Sequence, residues 1–111
     1  MTYEEIRDMI ADIGLPSTYY QWPKKEVPPL PYVVFYFPRS ENFDADDQVF
    51  QTIQALNVEL YTSEKNFASE QAVETVLNAY GMAWDKSEIY LTDEHMYEVL
   101  YEMEVITDYA E

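Results

Sequence analysis

Tyr97-Glu98-Val99-Leu100-Tyr101-Glu102-Met103-Glu104-Val105 is the stretch on which the fold turns. Met96, Val99, Leu100 and Met103 fit one stripe of a helix. Tyr97, Val99, Tyr101, Met103 and Val105 instead alternate with Glu98, Leu100, Glu102 and Glu104, which is the period of a strand. The alternation covers more positions, and valine and tyrosine favour extended backbone. The stretch is therefore read as a strand. Thr92-Asp93-Glu94-His95 supplies turn residues before it, and Lys86 to Thr92 supplies a partner, giving a hairpin over 86–106.

Working outward, Phe67, Ala72, Val73, Val76, Leu77 and Tyr80 recur at helical spacing, with Gly81 placed to end the element. This predicts a helix over 64–80 capped by Ser63. Upstream, Tyr32-Val33-Val34-Phe35-Tyr36-Phe37 is apolar throughout and stops at Pro38. A polar loop is expected over 39–47. A second strand follows from about Gln48 to Tyr61, with Leu56, Val58 and Leu60 inward and Asn57 and Glu59 outward, making a hairpin over 32–62. Ile6, Met9, Ile10 and Ile13 mark a first helix over 3–13, capped by Thr2 and stopped by Gly14 and Pro16. Between them, 15–31 holds Pro16, Pro23, Pro28, Pro29 and Pro31 and is expected to be an ordered but irregular Pro/aromatic arm. The order α-β-β-α-β-β predicts a single α+β domain with a mostly antiparallel four-stranded sheet and helices packed on one face. Val33, Phe35, Phe37, Leu56, Val58, Leu60, Val73, Val76 and Leu77 are the expected core.

The chain has 111 residues, with 6 Lys and Arg against 22 Asp and Glu and a net charge of −16. Binding to duplex DNA or to anionic lipid needs the opposite sign. A 48% hydrophobic content is too high for a disordered acidic tail. With no cysteine and one histidine, disulfides, thiolate metal sites, Fe–S clusters and thiol catalysis are excluded. The start, Met1-Thr2-Tyr3-Glu4-Glu5, is unlike a signal peptide, and no apolar run approaches the roughly 18–20 residues of a membrane span. The expectation is a chain made in a cytoplasm and kept off membranes.

No catalytic constellation emerges. His95 near Asp93 reads as a turn residue, since a base needs a nucleophile within reach. Gly14 and Gly81 cannot build a phosphate-cradling loop. Asp44, Asp46 and Asp47 could chelate a cation, but they lack the glycine turn and distal glutamate of a calcium loop, so a solvated loop is the plainer reading. No enzyme activity, cofactor or metal is expected. Charge is distributed unevenly: Lys24, Lys25 and Arg39 face only Glu26 within 15–39, whereas the rest of the chain is strongly acidic. Tyr19, Tyr20 and Trp22 beside the lysines suit protein contact better than single-stranded nucleic acid. Glu98, Glu102 and Glu104 share one face of the deciding strand, with Asp85 and Glu88 on its partner.

Tyr20-Gln21-Trp22-Pro23, Pro28-Pro29-Leu30-Pro31-Tyr32-Val33-Val34-Phe35-Tyr36, Ser40-Glu41-Asn42-Phe43, Ala45-Asp46-Asp47, Val58-Glu59-Leu60-Tyr61-Thr62, Lys86-Ser87-Glu88 and Met96-Tyr97-Glu98-Val99-Leu100-Tyr101-Glu102 together give a resemblance. The chain resembles the small tail terminator, tail completion, head–tail joining or minor capsid proteins of long-tailed phages and prophages of Gram-positive bacteria. The resemblance implies a structural virion protein with an α/β domain and no catalytic residues. It implies self-assembly as a ring, usually a hexamer, on the last ring of the major tail protein. That ring would stop tube growth and meet a head-completion or connector protein, while DNA passes through without specific binding. Assembly would occur in the host cytoplasm and the product would reside in the virion neck.

On that reading, Tyr20, Trp22, Lys24, Lys25, Arg39, Phe43, Asp46 and Asp47 are candidate subunit or partner contacts. Glu88, Glu98, Glu102 and Glu104 are candidates for an acidic lumen. Stacked like charge should make assembly salt-sensitive. A second expectation, of another class, is an acidic DNA-mimic inhibitor of a host nuclease or restriction enzyme.

Overall fold

The computed structural model describes the backbone of residues 1–45 and 48–107, and the side chains of 1–40 and 52–107. The elements run α1 (Tyr3–Ala11), β1 (Ser17–Tyr19), β2 (Tyr32–Tyr36), β3 (Ser40–Ala45), β4 (Gln48–Thr62), α2 (Phe67–Ala79), β5 (Asp85–Leu91) and β6 (Met96–Thr107). The sheet is six-stranded, ordered β1-β2-β4-β6-β5, with β3 also pairing β4. It is mixed: β1 runs parallel to β2 and the other pairings are antiparallel.

This corrects the expectation of a four-stranded, mostly antiparallel sheet, and each extra strand has a physical reason. Pro16 and Pro23 leave Ser17-Thr18-Tyr19 free to donate, and the three residues pair with Val33, Val34 and Phe35. A parallel pairing needs a crossover of a dozen or so residues, and the proline-rich 20–31 segment supplies one. Tyr20 turns out of β1 at φ 69° while its N–H still bonds Phe35 O at 2.9 Å.

The second extra strand, β3, falls where a polar loop was expected. Glu41, Asn42 and Asp44 have poor strand propensity, but β4 is 15 residues long. Its second half pairs with β2, and its first half would present an unpaired edge without β3. Pro38 separates β2 from β3. The step from Tyr36 to Ser40 is one residue longer than the step from Asn57 to Gln54 opposite, so register shifts across the proline.

Both helix boundaries differ from the periodicity. Thr2 and Glu5 form a reciprocal cap on α1, Thr2 Oγ1 accepting from Glu5 N–H at 3.0 Å and Glu5 accepting from Thr2 N–H at 2.9 Å. The helix ends at Ala11, before Gly14 at φ 86°. Asn66, not Ser63, caps α2: its side chain accepts from Ser69 N–H at 3.0 Å, so the helix starts at Phe67.

The deciding stretch is strand β6, with Val99, Tyr101, Met103 and Val105 buried and Glu102 and Glu104 exposed. Register aligns the apolar residues: Val33 faces Leu60, Phe35 faces Val58, and Val58, Leu60 and Leu56 face Tyr101, Val99 and Met103. Ile6, Met9 and Ile10 of α1 and Val73 and Leu77 of α2 pack onto this same apolar face. Phe37 and Val76 lie half-buried at its margin. Each such side chain contributes about 1.5–3 kcal/mol by burial. Among the described residues, no helix is long and apolar enough to cross a membrane.

Candidate partner interface

Because side chains alternate along a strand, the residues of β6 that do not face the helices form a second surface. Glu98 lies opposite Tyr61 and Ile89, Leu100 opposite Glu59 and Ser87, and Glu102 opposite Asn57 and Asp85. Glu104 follows, opposite Ala55. Glu98, Glu102, Glu104 and Asp85 thus share the face that carries no helix. Glu88 does not join them, which corrects its assignment to the acidic face. It pairs with Val99, so it points to the helix side, where it meets Lys65 in an ion pair. Asp85 and Glu88 are three positions apart on one strand and so fall on opposite faces by alternation; which of them shares the Glu98 face is set by the β5–β6 register, which the sequence does not display.

Glu59 and Glu98 are diagonal neighbours on adjacent strands of this face. Tyr61 Oη donates to Glu59 Oε1 at 2.8 Å and lies 3.4 Å from Glu98 Oε1. Tyr36 Oη donates to the other Glu59 oxygen at 3.1 Å and accepts from Asn57 Nδ2 at 3.3 Å. Burial raises the Glu98 carboxyl above its ordinary value, and the charge of Glu59 and a proton held against it add to the shift. Burial and the same two carboxylates push the Tyr61 hydroxyl far up. Among the described residues, no cation pairs with Glu59 or Glu98.

The arm lies against one end of this face. Trp22 packs edge-on to Tyr32 with ring centres 5.5 Å apart, Tyr32 is 5.4 Å from Tyr61, and Tyr20 is 5.3 Å from Tyr36. A groove of about 310 Å³ opens there, bounded by Trp22, Tyr32, Tyr61, Leu91, Glu94 and Met96. The structure therefore brings Tyr20 and Trp22 to the edge of the acidic face. Tyr20 stays 65% exposed there, although it is a large aromatic ring.

The cations divide into two groups. Lys65 and Lys86 are held on the helix side around Glu70, a carboxylate only 3% exposed. Lys65 Nζ lies 2.6 Å from Glu70 Oε2 and Lys86 Nζ 2.7 Å from Oε1. Lys86 also reaches Glu74 at 2.7 Å, and Glu74 accepts from Tyr101 Oη at 2.7 Å. Arg7 sits 3.9 Å from Glu4 in the open. Arg39 borders a cleft of about 210 Å³ with Asn57, Asp85 and Glu102, so it belongs beside its own chain's acidic face rather than with the arm lysines. Lys24 and Lys25 are exposed on the arm, in a turn closed by Glu26 N–H to Pro23 O at 2.9 Å. Among the described residues they have no ion pair.

Phe43 lies in β3 opposite Gln51, and Asp44 opposite Val49. Asp46 and Asp47, and with them most of the candidate cation site, lie outside the described residues. His95 occupies an exposed turn at φ 53°. Two features escaped sequence reasoning. Glu70 interrupts the α2 apolar stripe, a signal for an internally paired acid. The Glu59–Glu98 juxtaposition needs the β4–β6 adjacency, which strand order alone leaves open. Compared with known proteins, the chain matches no family model and no curated protein.

Proposed function

We propose that this chain is a structural neck protein of a long-tailed phage or prophage. Copies close the tail tube as a ring of six on the major tail protein and present a surface to the head-completion protein. The observation that carries the reading is the separation, across one sheet, of charges that have no ion pair among the described residues. Lys24 and Lys25 sit on the arm that follows β1 at one edge, while Glu98, Glu102 and Glu104 line the helix-free face of β6 next to the other edge. Complementary patches on one subunit suit a head-to-tail contact between copies, and such contacts close into a ring when the rotation from copy to copy closes. The remaining carboxylates would line a lumen that does not adhere to DNA, since only cations gain from phosphate contact.

The test is a phage carrying Lys24→Glu with Lys25→Glu. The subunit should stay folded, and tails should be irregular in length and fail to join heads. Normal infectious particles would refute the arm's role. The acidic row of Glu98, Glu102, Glu104 and Asp85 on that face favours one other reading, a DNA mimic. A mimic tolerates added acid on the arm, loses its activity when those glutamates become glutamine, and competes with DNA for a nuclease in vitro.

A further inference from the structure

Uncompensated acid is unusual in this molecule where side chains leave solvent. Glu70 is buried and has two lysines, whereas the half-buried Glu59–Glu98 pair has none. Carboxylates withdrawn from water are ordinarily paired or neutralised. Among the described residues only tyrosine hydroxyls donate to the pair, and a neutral hydroxyl brings no counter-charge. Lys24 and Lys25, which have no ion pair among the described residues, lie on the arm. Beside the pair runs the groove between Trp22, Tyr32 and Tyr61, whose ring faces and Glu94 suit an aliphatic stem ending in an ammonium.

Resting on the ring reading above, we infer that the Glu59–Glu98 pair, flanked by Tyr36 and Tyr61, is the seat for Lys24 or Lys25 of a second copy of this chain. The occupant follows from charge complementarity: among the described residues, the seat is a half-buried acidic site with no cation, and the arm holds lysines with no acid. Docking sets an ammonium against the two carboxylates, which stand as diagonal neighbours on β4 and β6. Around Glu98, the titratable groups are Tyr32 and Tyr36 from β2, Glu59 and Tyr61 from β4, Glu102 on β6, Asp85 on β5 and Glu94 in the preceding turn. Self-association should therefore strengthen as pH rises through the raised Glu98 titration, because a proton competes with the lysine, and should weaken with added salt.

The experiment is sedimentation of the full chain over a concentration series. Three proteins are compared: wild type, Lys24→Glu with Lys25→Glu (no donor), and Glu59→Gln with Glu98→Gln (no acceptor). Far-UV dichroism and melting confirm that each is folded. Wild type should self-associate, and each variant alone should do so about tenfold or more weakly. Mixing the two variants should restore one contact, giving a heterodimer, since each supplies what the other lacks. Glu98→Gln alone should flatten the pH dependence. If wild type associates and the variants associate as well as it does, or if the mixture does not pair, the seat is wrong while a ring built on other contacts stands. If wild type stays monomeric at every concentration, the seat is wrong; the ring reading then rests on whether wild type still caps purified tail tubes.

Discussion

Glu70→Gln isolates the charge at the centre of the helix-side network while keeping the side chain's shape. In the wild type the carboxylate is 3% exposed, with Lys65 at 2.6 Å and Lys86 at 2.7 Å. Removing one partner of a buried pair ordinarily costs about 3–5 kcal/mol because the other charge is stranded. Here the lysines are not stranded: each is about a third exposed, Lys65 keeps Glu88, and Lys86 keeps Glu74. The expected cost is therefore smaller, about 2–3 kcal/mol. An unfolding entropy of about 2.1 cal/mol/K per residue gives the 111-residue chain about 0.23 kcal/mol/K, so Tm should fall by about 9–13 °C at pH 7. Burial alone would raise the Glu70 carboxyl, but the two lysines outweigh it and hold the group below its ordinary 4.5. A lowered carboxylate stabilises the fold above its unfolded value and loses that contribution as pH falls through the folded one. The wild-type and variant melting curves should accordingly converge on acidification below 4.5. Calorimetry from pH 7 to about pH 3 reads both effects. A Tm gap that persists unchanged at low pH, or a loss under about 3 °C at pH 7, would show that the lysines do not stabilise the fold through Glu70.

Glu98→Gln should act with the opposite sign. Its carboxyl is raised, so the folded state holds the proton more tightly and the fold loses stability as pH climbs from 4.5 through the folded value. The variant should melt higher than wild type at pH 7 and level with it in acid; a lower Tm at pH 7 would refute the repulsion argument. Leu77→Ala empties a fully buried site between α2 and the sheet and should cost roughly 2–5 kcal/mol, or about 9–21 °C in Tm. Unchanged thermal stability would mean that α2 does not pack where it is placed.

Much of the architecture was legible because patterning and burial agree. The period-two run of 97–105 marked β6 against a competing helical stripe, and Val33, Leu56, Val58, Leu60, Val73 and Leu77 are buried. What the pattern could not show is pairing that depends on a neighbour. Ser17-Thr18-Tyr19 is too short to carry a signal and is a strand because β2 lies beside it. Ser40–Ala45 is polar and is a strand because β4 is long. The candidate site follows the same rule. Glu98, Glu102 and Glu104 share a face by parity along one strand, a property internal to the sequence. Glu88 was misplaced because its face depends on register with β6, and Glu59 was overlooked because its neighbour comes from 39 positions further along the chain.

The two carboxylate clusters obey different rules within one sheet. On the helix side, acids at Glu70, Glu74 and Glu88 are matched by Lys65 and Lys86, so the fold neutralises what it buries. On the other side, Glu59, Glu98 and Glu102 stand on neighbouring strands with Asp85 alongside, where like charges destabilise a sheet by some tenths of a kcal/mol per pair. A glutamine at any of these positions would relieve that repulsion without disturbing the core. Solubility does not require the arrangement, since acid elsewhere on a chain of net charge −16 serves that end. A cost carried on the face without helices, beside an arm whose lysines have no ion pair among the described residues, is the pattern of a surface completed by another molecule. In a ring each copy would bring the missing cation to the next, and the strain measured in the monomer by Glu98→Gln would become part of the driving force for assembly.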